Sequence, residues 1–172
     1  MRKSNRDSET KKMTDNLKAK KKTMVLGIGN IIMGDEGFGL HVIRRLKEIG
    51  MPENIILEEG GVGGFNLLND LRGIEKLVVV DIMMLPSPPG ELKVFEPGNP
   101  PTEPGKAIVS FHQVGVLELV NIWGMMGNEE PEVTFVVTRP QTIDWSTELT
   151  QPLKVAVEKA ANMIKNLCID FN

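Results

Sequence analysis

The chain has 172 residues, 41% of them apolar and 25% charged, a soluble globular composition with room for one well-packed domain. Its single cysteine, Cys168, excludes an internal disulfide and any C-x-x-C metal or redox site, and suits a reducing, cytoplasmic setting. No apolar run approaches the roughly 20 residues needed to cross a bilayer, so a membrane span is not expected.

Residues 1–23 stand apart. Nine Lys or Arg against three acids give this stretch a balance of +6 within a chain of −3, leaving −9 on residues 24–172. Almost nothing apolar interrupts it, so a disordered basic tail is expected, followed by one catalytic domain over 24–172. The tail reads either as a nucleic-acid or membrane arm or as an artefactual extension ahead of a start at Met13 or Met24. The acidic body argues against nucleic acid as the partner.

The domain opens with Met24–Ile28, a short apolar run of strand length. The glycines 27 and 29 follow, then the acids Asp35 and Glu36, and then the helical pattern Phe38–Ile49. Strand, glycine turn and helix make half of a βαβ unit, and ligand crevices of open α/β sheets lie where chain leaves the carboxyl ends of strands. A dinucleotide fingerprint needs a third glycine at position 32, which is Ile32, and the acids would repel a pyrophosphate. Carboxylates there suit a cation, or else simply complement the dipole of their own helix.

Ile55–Leu57 reads as a second strand, closed by Glu58, Glu59 and the glycines 60, 61, 63 and 64. A short helix is expected over 65–71. Lys76–Asp81 is apolar on both faces until its terminal carboxylate, as in a central strand of a covered parallel sheet. The Pro86–Gly90 turn leads to a strand at Glu91–Phe95, and the short connection makes that strand antiparallel to its predecessor. A Pro/Gly-rich loop over 97–107, a helix from Val114 to Met126, a strand at Val133–Thr138 and a helix from Leu153 to Leu167 complete the chain. This order implies an α/β fold: a three-layer α/β/α domain with a mixed, mostly parallel sheet of about five strands.

Of the two histidines, His41 lies five residues beyond Glu36, away from that residue's face, and reads as surface or packing. His112 has no periodic role and sits just ahead of the expected helix. Glu36, Asp81 and His112 each fall where chain can reach one sheet edge. Two carboxylates and an imidazole leave positions open on a divalent metal, as hydrolytic sites require, although nothing in the spacing obliges the three to meet. Neither H-E-x-x-H nor G-x-S-x-G occurs.

Six segments appear in order: G-I-G-N-I-I-M-G-D-E-G-F-G (27–39), E-E-G-G (58–61), V-V-V-D (78–81), P-G-E-L-K-V-F-E-P (89–97), F-H-Q-V-G (111–115) and T-Q-P-L-K-V-A-V-E (150–158). Together they resemble the hydrogenase maturation endopeptidases, over about residues 24–165. The resemblance implies a nickel-dependent processing peptidase that removes the C-terminal extension of a [NiFe]-hydrogenase large-subunit precursor after nickel insertion. It implies Glu36, Asp81 and His112 as metal-binding and catalytic residues, with Ni(II) supplied by the substrate protein. Glu59, Gly60 and Gly61 form the loop expected to meet substrate, and Glu59 departs from the aspartate usual there. Asp35 is a reserve for Glu36. Two other readings stay open, a non-cleaving nickel-site checkpoint or chaperone and a nucleotide-binding α/β enzyme.

Overall fold

The structure is a computed structural model that describes residues 22–62, 71–101 and 111–170. The expected tail up to residue 21, the helix over 65–71 except its last residue, the glycines 63 and 64, and the loop residues 102–110 lie outside the described residues. Strand β1 (Lys22–Ile28) leads through a single 3₁₀ turn (Gly34–Gly37) into helix α1 (Phe38–Ile49). Then come β2 (Ile55–Gly61), β3 (Ile74–Ile82), β4 (Leu92–Phe95), helix α2 (Phe111–Met125), β5 (Glu132–Thr138) and helix α3 (Gln151–Asp170). Lys22 and Thr23, assigned from composition to the basic tail, belong to β1: Thr23 is buried and Lys22 pairs with Ile74 of β3.

The five strands form one sheet in the order β2-β1-β3-β5-β4. Four run parallel and β4 runs antiparallel along β5, at the sheet's edge. The short connection from β3 forces β4 to reverse direction, as its length predicts. It does not make the two neighbours, because β5 enters between them.

β3 is apolar on both faces because both faces are covered. Val78, Val80 and Ile82 join Phe38, Val42, Ile43 and Leu46 of α1 and Leu153, Ala156, Ala160 and Ile164 of α3 in one buried cluster. Leu77 and Val79 point the other way, into a cluster with Val116, Leu119, Val120 and Trp123 of α2. The alternation of side chains along a strand therefore aims Asp81, two residues beyond Val79, at the α2 side.

The glycines of the first segment serve close packing. A Cβ on Gly27 would come within 2.4 Å of the Gly39 carbonyl oxygen, and a Cβ on Gly39 would come equally close to the carbonyl oxygens of Ile28 and Val80. Helix α1 thus lies directly on the backbones of β1 and β3. Chain leaves β1 for β2 on one side and returns to β3 on the other, so the strand order reverses between β1 and β3. Open α/β sheets keep their crevice at such a reversal, outside the carboxyl ends of the strands.

Candidate active site

Three segments of chain reach that reversal point. The turn after β1 carries Glu36, the end of β3 carries Asp81, and the first turn of α2 carries His112. Helix α2 begins three residues earlier than its apolar periodicity suggests, which puts His112 on a rigid element rather than in the preceding loop.

Asp81 is fully buried. Its Oδ1 accepts a hydrogen bond from the Ile82 amide at 2.8 Å and lies 3.7 Å from Nδ1 of His112, a long ion-pair contact. Its Oδ2 accepts a bond from Nε2 of Gln113 at 3.5 Å. The Asp81 carboxylate, first as hydrogen-bond acceptor and then by its charge, holds the His112 pKa above the ordinary histidine value. Burial of the ring opposes this, and the charge of Glu36 adds to it. Glu36 itself is half-buried.

Gln113 is a member of the site that sequence reasoning passed over. It is buried, on the stripe of α2 continued by Val116, Leu119 and Val120. A polar residue three positions before Val116 on an apolar stripe was the available signal.

Asp35 has a different task from its neighbour. It is fully buried and accepts four hydrogen bonds: from the amides of Gln141 (2.8 Å), Thr142 (3.1 Å) and Thr150 (2.8 Å) and from the Thr150 hydroxyl (2.9 Å). Turning it toward an ion would break four hydrogen bonds that already satisfy a buried carboxylate, so Asp35 is no reserve for Glu36. Two of those bonds, from Thr150, tie it to the start of a helix other than its own. The Thr150 carbonyl accepts the first bonds of α3, from Leu153 and Lys154, so Asp35 serves the amino end of a helix 115 positions further on.

Glu59 lies at the end of β2, where its carboxylate takes hydrogen bonds from Lys47 (3.0 Å) and Arg44 (3.1 and 3.2 Å) of α1. Burial disfavours its charge, but the Lys47 and Arg44 contacts outweigh that and keep its pKa below the usual carboxylate value. The residue expected to meet substrate is thus engaged in tying β2 to α1. Gly60 and Gly61 stand at the reversal point beside the turn, where the Gly61 carbonyl accepts a bond from the Gly29 amide at 3.2 Å.

Among the described residues, no three His, Cys, Asp or Glu side chains are gathered closely enough to enclose an ion. The structure brings Asp81 and His112 into contact and sets Glu36 near enough for its charge to bear on the imidazole. In donor type, two carboxylates and an imidazole are ligands that a first-row divalent metal accepts.

A three-layer α/β domain with an acid–imidazole pair at its strand-order reversal is a frame on which a hydrolytic site can be built. The family model described as hydrogenase maturation protease matches residues 40–167, and the chain belongs to that family. It is 31% identical over 133 residues to the hydrogenase expression/formation protein HupD of Bradyrhizobium diazoefficiens, covering 76% of this chain and 69% of that one. The Hydrogenase 2 maturation protease of Escherichia coli is 25% identical, over 82% of this chain and 87% of its own. Among solved structures, the [NiFe] hydrogenase maturation protease HybD from Thermococcus kodakarensis superposes with a TM-score of 0.72 at 28% identity, covering 86% of this chain and 99% of that one. The E. coli endopeptidase HybD shares the fold, with a TM-score of 0.70 at 23% identity, covering 83% of this chain and 89% of that one. No described helix is long and apolar enough to cross a membrane.

Proposed function

We propose that this protease removes the C-terminal extension of a [NiFe]-hydrogenase large-subunit precursor, and that Glu36, Asp81 and His112 respond to nickel already seated in that substrate. The observation that carries the reading is the Asp81–His112 contact at the end of β3, with Glu36 bearing on it from the turn after β1.

Asp81 faces the imidazole at Nδ1, so Nε2 is the ring nitrogen left for a metal. Gln113 and the Ile82 amide keep the Asp81 carboxylate in place. Glu36 supplies the second carboxylate from a separate turn. When nickel arrives with the substrate, it supplies Lewis acidity at the scissile carbonyl and at an attacking water. A precursor without nickel brings no such centre and is left uncut.

The surroundings suit a protein substrate. Ile32 after β1, Val62 after β2, Met84 after β3 and Val114 in the first turn of α2 are exposed apolar side chains, all at the carboxyl end of the sheet. Such a rim favours contact with another polypeptide.

Mass spectrometry of nickel-loaded precursor incubated with the protein tests the reading. Loss of the extension is expected, with none from nickel-free precursor. Asp81→Asn, His112→Gln and Glu36→Gln should each slow cleavage at least about 100-fold, since groups one layer behind a metal ligand already cost 10–100-fold. Recovery of intact precursor alone would favour the non-cleaving checkpoint instead.

A further inference from the structure

The loop between β5 and α3 is braced against the turn that holds Glu36. Besides the four bonds to Asp35, the Gly34 amide donates to the Ser146 carbonyl at 2.7 Å and the Ser146 amide donates to the Ile32 carbonyl at 3.1 Å. Met33 and Ser146 form an isolated parallel bridge. A Cβ on Gly34 would lie 3.3 Å from the Asp144 carbonyl oxygen, so the two segments are in close contact. Every one of these contacts falls within four residues of Glu36, and the buried anchor is its immediate neighbour.

We infer that Asp35 is a positioning residue for the reaction: through Gln141, Thr142 and Thr150 it fixes the turn that carries Glu36. This rests on Glu36 acting as a donor in the proposed cleavage. A one-turn 3₁₀ segment has little rigidity of its own, and α1 begins only at Phe38. The last third of the chain supplies what the turn lacks. A group that holds a ligand's backbone acts as an outer partner of the site, and such partners govern activity without touching the substrate.

Thr150→Val removes the hydroxyl donor while sparing the backbone amide, and Thr150→Ser keeps both. On nickel-loaded precursor, T150V should lower kcat about tenfold with KM changed less than about twofold, and T150S should restore it. Hydrogen exchange of the 33–37 amides should quicken in T150V while the α2 amides stay protected. In a Glu36→Asp background, T150V should cost little more, because the residue it positions is already displaced. The full tenfold loss in that background, or an unchanged kcat despite faster exchange, overturns the inference and leaves the proposed function intact. Native cleavage by both E36D and E36Q would remove Glu36 as a donor and the positioning role along with it.

Discussion

The chain's only two histidines meet opposite surroundings. Contact with Asp81 raises the His112 pKa above 6.5, whereas burial first, and the charge of Arg44 next, lowers that of His41. The imidazole resonances should therefore titrate on either side of 6.5 in a proton NMR series, and Asp81→Asn should bring the upper one down while the lower stays put. The same shifts set opposite contributions to stability. A raised folded-state value favours the fold fully below 6.5, and that support fades as pH rises through the folded value. A lowered one leaves the fold at full stability above 6.5 and costs it stability as pH falls through the folded value. At this scale the sequence was readable for where Glu36, Asp81 and His112 stand, each at the edge of a recognisable element. It was not readable for Asp35 and Glu59, whose carboxylates are claimed by donors 106–115 and 12–15 positions away. Met83 and Met84 part company similarly: the first is in the core and the second exposed.

Among the elements, α1 begins and ends where its periodicity predicts, and α3 takes Pro152 in its first turn. β2 runs through Glu58 and Glu59 to Gly61, further than its apolar residues reach, because pairing with β1 rather than burial sustains its end. The seating of α1 on the sheet offers a direct measurement. Gly39→Ala puts a methyl group 2.4 Å from two backbone oxygens, and backbone cannot step aside as a side-chain tip can. A loss of about 1–3 kcal/mol is expected, with roughly 2–4 °C of Tm per kcal/mol for a chain of this size. Gly115→Ala is the contrasting case, within α2 with open space where its Cβ would go. There, alanine's helix preference should add up to about 1 kcal/mol, and calorimetric melting of the two variants should move Tm in opposite directions.

For the molecule as a whole, alternating strands and helices were enough to infer a three-layer α/β fold. The strand order was not, because β5 inserts between β3 and β4 by contacts that no local pattern encodes. Cys168 reports on the assembled state. It is buried in α3 within the cluster shared with α1, and burial pushes its thiol up to about 11. At pH 8 the folded protein should resist an aromatic disulfide reagent, then react fully once denaturant opens the fold. Rapid labelling of the native chain would show that α3 undocks on its own. The brace around Asp35 has a temporal consequence too. Glu36, Asp81 and His112 are all synthesised within the first two-thirds of the polypeptide, yet the amides that brace the turn carrying Glu36 belong to residues 141, 142 and 150. A ribosome-bound fragment ending before residue 141 lacks those donors and, on the proposed role of Glu36, should cleave nickel-loaded precursor more slowly than the finished chain.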